Sequence, residues 1–551
     1  MPLVGAEAVA ASALAFLASS IIAAYLADWL GFRIVPLAIL LPSAIAAAAT
    51  FLCLGRRATP AAPALVAFGA LVCGMFAWLL WLARPDLLPT GSGPDLAHHL
   101  ALIEYIERHQ RLVHDVRLSE YLGEMIDYTP GVHLLAVLTG AWFRSDALHA
   151  LYPVVAWSVA LKTGFVLLIA LRLLDAVDGD IPRIPFALTA IVLLFLPRTY
   201  FIGSFTEQSF VAQVLSELFA VAMWWAVLVW DASPTRSALV FYSLSGTAAF
   251  LTWPVSAGPL LVLLAAVMLL HGRLSWLDRL QHLAIATVPI AATAAVHGTR
   301  HAGGFRMAGT GGFAIWPTAG VLGWWFIALS AAGFLCCATE RRARTVTLLL
   351  AAIALQAAAL FATAHASGAA APYLALKMFY LAIYPLGIAI ALTLAAGWRA
   401  AVRAVGRTGI RSAPLAWLLV ASLGIAVARP LIAAPRPRPV VTQAALVAAQ
   451  WARARIPPAC IDYLVIDGYT AYWLHLAVFG HPRASGRALN DDTFEPKKAL
   501  DRWILPNGLP FAVADDFDAL PRDIRTNVDI VARFGPAAVV KRRGPSTCPQ
   551  R

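Results

Sequence analysis

Residues 65–83 read LVAFGALVCGMFAWLLWLA, nineteen consecutive positions without a charged side chain. About 20 apolar residues carry an α-helix across the hydrocarbon core of a bilayer. The run therefore reads as a membrane span, and the chain repeats the pattern along most of its 551 residues. Further apolar runs cover about 4–27, 34–54, 149–173, 185–202, 208–230, 236–252, 255–271, 280–297, 314–338, 346–366, 374–397 and 412–433. A shorter one covers 130–143.

Composition agrees. Hydrophobic residues make up 60% of the chain and charged residues 13%, where a soluble domain carries roughly 25% charge. Mean hydropathy is +0.74. A net charge of +12 would suggest nucleic acid in a soluble protein. Here the arginines fall in short breaks between apolar runs, as in cytoplasmic loops of membrane proteins, so no nucleic-acid partner is expected. The N-terminus lacks the basic n-region of a signal peptide and is read as the first span.

The arginine-bearing breaks GRRATP (55–60), HGRLSWLDR (271–279), ERRAR (340–344) and WRAAVRAVGRTGIR (398–411) are expected on the cytoplasmic side. This puts the N-terminus inside. It places 85–130, 203–207, 253–254, 298–313, 366–373 and the C-terminal region outside. The alternation closes only with an even number of spans between 130 and 207, so 130–143 is read as a half-dipping helix. Residues 1–433 then form an all-α polytopic bundle of about thirteen transmembrane helices, with an outer loop at about 85–130.

After the stiff PRPRP stretch at 435–439, apolar runs shorten to four to six residues bounded by Gly, Pro and Asp. That pattern predicts a small α/β domain over 434–551. Cys460 and Cys548 bracket it. On the outer side they would be in an oxidising compartment, where a disulfide and two separate thiols are both open readings. The other four cysteines lie in apolar runs as small buried hydrophobes.

The outer loop holds an unusual density of charge, PDLAHHLALIEYIERHQRLVHD at 94–115. Leu96, Leu100, Ile103 and Ile106 recur at helical spacing, predicting an amphipathic helix over 95–110. Asp95, His98 and His99 share the opposite face at i, i+3 and i+4. The helix is expected to lie on the membrane surface with its Asp/His side toward a cavity. Without a function, it is a solvated amphipathic helix with Asp95 as its N-cap.

Three further elements follow. DYTPGVHLLAVL (127–138) breaks the chain and then opens an apolar helix that carries His133. In LPRTYFIGSFTEQSFVAQVL (196–215), Arg198 and Glu207 flank a break between spans. In APYLALKMFYLAIYP (371–385), Lys377 lies near the end of a span. An ionisable residue inside a span is a functional candidate, although Lys377 could instead snorkel to the interface. Lys162, in WSVALKTGFVLL, is a weaker case of the same kind. A carboxylate beside a membrane cavity can act as general base toward a hydroxyl, and Arg or Lys beside it suits a phosphate.

In the order of these parts, the chain resembles the GT-C superfamily of integral-membrane glycosyltransferases. An acid follows soon after a span (GSGPDLAHHLALIEYI). A Y-x-P-G-x-H-L-L element opens the next helix, and a P-R-x-Y…E break, a T-W-P turn (252–254) and a Y-x-x-x-K element (373–377) come later. The layout spans most of 62–400. It departs from the family in having a single acid, Asp95 followed by Leu96, where many members pair two, and in two additional spans before the loop.

The resemblance implies transfer of a sugar from a polyprenyl-phosphate donor to a hydroxyl of a cell-envelope glycan or lipid. Asp95 would be the general base, and Lys377 and Arg198 would hold the phosphate. His98, His99, Glu207 and His133 would line the substrate site. A divalent metal is the one cofactor candidate, and the mixed His and carboxylate set selects no particular ion. The Ala- and Arg-rich composition points to a bacterial cytoplasmic membrane. Two other readings stay open. One is a transporter or flippase for a lipid-linked or anionic substrate, although no inverted repeat is visible. The other is a non-catalytic assembly subunit.

Overall fold

The computed structural model describes residues 4–55, 62–91, 94–115, 118, 122–175, 181–272, 274–301, 314–340, 343–404, 412–434, 436–465, 468–479, 503 and 508–548. Among these, nine helices are long and apolar enough to cross a membrane. In this article's numbering they are α1 (Val4–Trp29), α2 (Pro36–Gly55), α3 (Ala62–Leu82), α6 (Ala147–Asp175), α8 (Val211–Ala232), α11 (Trp276–Arg300), α13 (Arg344–Ala366), α14 (Tyr373–Ala404) and α15 (Ser412–Ala433). Between them lie α4 (Pro94–His109), α5 (Gly131–Phe143), α7 (Arg183–Leu193), α9 (Arg236–Thr252), α10 (Gly258–Leu270) and α12 (Trp324–Thr339). This is a mostly helical membrane bundle. Its outer helices carry bare apolar faces: Leu37 and Leu41 on α2 are 75% and 66% exposed. A surface of this kind needs lipid to cover it.

The inner helices α6, α8 and α14 form the core, with Phe165, Trp224, Trp225 and Tyr384 fully buried. Contacts between loops define two ends of the bundle. At one end Arg172 of α6 pairs with Glu7 of α1, and Arg344 of α13 pairs with Asp231 of α8 at 2.6 Å. At the other end Asp28 accepts from the Leu112 amide at 2.9 Å, Thr90 Oγ1 donates to the Thr206 carbonyl at 3.3 Å and Tyr200 donates to the Ile315 carbonyl at 2.8 Å. The short α5 begins and finishes at this second end. Thr129 before it donates to the Thr252 carbonyl at 2.8 Å. Ala147 after it donates its N–H to Glu107 of α4 at 2.9 Å. Both ends of α5 therefore lie at the same end of the bundle.

Two expected elements change. The run 185–202 is not one continuous helix: α7 stops at Leu193, and a 3₁₀ turn at Arg198–Tyr200 follows Pro197. The helix expected at 95–110 forms as α4, but it does not lie open on a surface. Leu96, Leu100, Ile103 and Ile106 are buried, and so are Ala101, Leu102 and His99 from its other sides. α4 is held between α5 and α6 on one side and the C-terminal region on the other. It begins at Pro94, a residue suited to the first helical position, so Asp95 lies inside the helix and not before it.

The C-terminal region contributes α16 (Gln443–Arg455), α17 (Gly468–Phe479) and a four-stranded sheet in the order β1-β2-β4-β3. β1 (Ile461–Leu464) and β2 (Phe511–Ala514) are parallel, and their crossover includes α17. β3 (Val528–Phe534) and β4 (Ala537–Arg542) form a hairpin. Its turn uses Gly535 at φ +60°, where a side chain would be strained. Cys460 and Cys548 are joined as a disulfide that ties the start of β1 to the residues after β4.

Candidate functional site

The segment between α7 and α8, residues 194–210, is the hub of the second end. Arg198 and Glu207 form an ion pair across it, each about two-fifths exposed. Tyr200 stacks edge-on against Tyr380 of α14, with ring centres 4.8 Å apart. Tyr380 in turn donates its hydroxyl to Gln208 at 2.6 Å. Lys377, one turn before Tyr380, does not snorkel. Its ammonium is buried and faces three aromatic rings, at 2.7 Å from the centre of Phe210, 5.0 Å from Tyr373 and 5.2 Å from Tyr380. An ammonium over ring faces is stabilised by their quadrupoles.

A second group gathers around α4 and α5. His99 Nδ1 and His133 Nε2 lie 2.8 Å apart in a buried hydrogen bond, with the rings stacked at 5.0 Å. Tyr128 meets His99 edge-on at 5.1 Å and lies 5.9 Å from Trp253. The YTPG and TWP elements thus pack on each other. Gly131 is required there, since a Cβ would run into Thr252 and the carbonyl of Leu251. Ser216 of α8 donates to the Trp253 carbonyl at 2.9 Å, which joins this group to the start of α8. The side chains of Asp95 and His98 lie outside the described structure. Only their backbone places them, in the first two turns of α4.

Sequence reading named Lys162 only as a weaker candidate and missed its buried partner. Lys162 of α6 donates to Glu217 of α8 at 2.6 Å. Tyr384 of α14 donates to the same carboxylate at 2.7 Å, and Gln213 donates to its other oxygen at 2.9 Å. Lys162 and Glu217 are 0% and 1% exposed. The signal was present: Glu217 is an acid within an apolar run, and Gln213 lies one turn before it on the same helix face.

A cavity of about 770 Å³ opens beside the hub, between α3, α7 and α15. Trp78, Phe195, Ile202, Val427, Leu431 and Ile432 give it apolar walls. Its rim carries Arg198 and Glu207, joined by Arg436 and Arg438 from the stretch after α15. The structure therefore brings Arg198 and Glu207 together, and His99 and His133 together. Lys377 joins the hub segment through Phe210 and Tyr380, but it does not line this cavity.

No protein-family model matches the chain, and no curated protein matches it. Among the described residues, no three His, Cys, Asp or Glu side chains gather to hold a metal ion. Chemically, the second end offers an oily slot with a cationic rim, next to a helix whose first turns carry an acid and two histidines.

Proposed function

We propose that the chain is an inverting membrane glycosyltransferase of the GT-C type, moving a sugar from a polyprenyl-phosphate donor to a hydroxyl of a cell-envelope glycan or lipid. The observation that carries this reading is the cavity: apolar walls suit a long isoprenoid tail, and arginines at one edge suit its phosphate. In the proposed reaction the acceptor oxygen forms a bond to the anomeric carbon. Asp95 takes the hydroxyl proton, the bond from that carbon to the phosphate oxygen breaks, and the lipid phosphate leaves. The same reading takes thirteen crossings, the nine long helices together with α7, α9, α10 and α12, in a bacterial cytoplasmic membrane. Its N-terminus is cytoplasmic, and the cavity end and C-terminal domain face outward.

The test is transfer in membranes from a radiolabelled polyprenyl-phosphate sugar pool, with wild type and Asp95→Asn at matched expression. Transfer by wild type and its loss in Asp95→Asn, with the protein still folded, supports the reading. Equal transfer by Asp95→Asn removes Asp95 as the base and turns attention to Glu207.

One observation favours a second reading. A buried ion pair such as Lys162–Glu217 is a common part of ion-coupled transporters. If wild type transfers nothing from any pool but moves the labelled lipid across vesicle membranes, the transporter reading replaces the first.

A further inference from the structure

The rim of the cavity has three arginines, and they are not equivalent. Arg198 is committed to Glu207. Arg436 and Arg438 are exposed, and neither meets a carboxylate among the described residues. The Arg436 guanidinium lies 3.9 Å from the ring centre of Trp81, an aromatic platform that orients its plane. Both belong to PRPRP, where prolines restrict the backbone and reduce what binding must freeze.

The backbone carrying them is fixed as well. Gly91 donates its N–H to the Arg438 carbonyl at 3.3 Å, and Val440 donates to the Pro89 carbonyl at 3.1 Å. Thr90 and Pro439 form an antiparallel bridge. Ser209 of the hub donates to the Thr90 carbonyl. Gly91 sits at φ +116°, against Ser209, where a side chain has no room. The backbone that carries both arginines is thus held at one edge of an oily slot, paired edge to edge with the residues that lead into α4, and Trp81 orients the Arg436 guanidinium.

We infer that Arg436 and Arg438 hold the anionic headgroup of a long-chain lipid phosphate whose tail lies along Trp78, Leu431 and Ile432. This rests on the lipid-linked donor proposed above. It moves headgroup recognition from Arg198 and Lys377 to the stretch between the bundle and the C-terminal domain. Neither arginine needs to leave another charge in order to bind, and the guanidinium fork suits phosphate oxygens.

The experiment measures binding of undecaprenyl phosphate to the purified full-length chain in detergent, beside undecaprenol and inorganic phosphate. Wild type is expected to bind the lipid phosphate at least about tenfold more tightly than undecaprenol, with inorganic phosphate failing to compete. Arg436→Gln/Arg438→Gln is expected to remove that difference while leaving undecaprenol binding and thermal stability as in wild type. Arg436→Lys/Arg438→Lys keeps the charge without the fork and should retain part of the preference.

If the double Gln variant prefers the phosphate as strongly as wild type does, or if inorganic phosphate competes as well as the lipid, the inference is overturned. Arginine-dependent binding without sugar transfer from any pool would sink the glycosyltransferase reading and leave this site standing. Transfer together with arginine-independent binding would do the reverse.

Discussion

The ammonium of Lys162 and the carboxylate of Glu217 lie 2.6 Å apart across the α6–α8 contact, and solvent reaches neither. Tyr384 and Gln213 complete the carboxylate's hydrogen bonding. Removing one member strands the other charge in the core, which costs about 3–5 kcal/mol. Lys162→Met and Glu217→Gln should each lower thermal stability in detergent steeply. Lys162→Met/Glu217→Met should recover most of the loss, since apolar replacement of a buried pair is often neutral. Additive losses in the double variant would show that the two groups are not energetically coupled.

At Gly131 the obstacle is backbone as well as side chain. A Cβ there meets the Leu251 carbonyl and the Thr252 Cα as well as the Thr252 hydroxyl. Gly131→Ala should therefore destabilise by about 1–3 kcal/mol. Trimming the neighbour with Thr252→Ala should not rescue it. Melting curves of the two single variants and the double decide the point, and full rescue would place the clash in the side chain alone.

The cleft between α4 and the C-terminal domain should respond to pH. Burial raises the carboxyls of Glu104 and Glu107 above their usual 4.5. Folded Glu104 and Glu107 hold protons more readily than unfolded ones. Their contribution to stability is full below 4.5 and is lost as pH rises through the raised values. Asp146 has the opposite sign. Burial pushes it up, but hydrogen bonds from His149 outweigh that and hold it below 3.8. Its contribution is lost only as pH falls below that range. Acidifying from neutral to about pH 5 should thus strengthen the seating of α16. Hydrogen exchange of its amides, corrected for intrinsic rates, reads this directly. His149, raised above 6.5 chiefly by its hydrogen bond to Asp146 and bonded to Gln443 of α16, acts in the same direction over this window. Glu104→Gln/Glu107→Gln should therefore flatten the trend in part, and an unchanged slope would mean that His149 controls it.

The Cys460–Cys548 disulfide closes a separation of 88 residues. By chain entropy, a loop of that length stabilises the fold by about 4–5 kcal/mol. Cys460→Ala/Cys548→Ala, or a reductant, should make the sheet much more sensitive to limited proteolysis while the bundle stays resistant. Equal resistance of the sheet in both forms would show that packing alone holds it.

Most of the bundle was legible because apolar length is a local signal. Runs such as 65–83 and 346–366 became helices within a few residues of their expected bounds. The break inside 185–202 was masked by its apolar residues, although Pro197 marked it. What sequence could not supply was pairing over distance. Lys162 was visible as a lone charge, but its partner lies 55 positions away on a helix whose neighbours only the fold determines. The burial of His99 had the same cause: helical periodicity locates one oily face of α4, and His133 of α5 with Tyr128 covers the side that carries His99. Arg436 and Arg438 read as part of a stiff connector, because nothing in PRPRP says that Trp81 and Gly91 lie beside it.

The pairing of Pro89–Gly91 with Arg438–Val440 bears on how the protein can be divided. The connector is a wall of the cavity and a partner of the approach to α4, so the C-terminal domain is no detachable module. A chain cut at residue 434 would lose both rim arginines and leave the Gly91 amide without its acceptor. Silence from such a truncated protein would say nothing about the sheet itself. A deletion confined to residues beyond Arg455, which spares the pairing and α16, is the cut that isolates what the sheet and α17 together contribute.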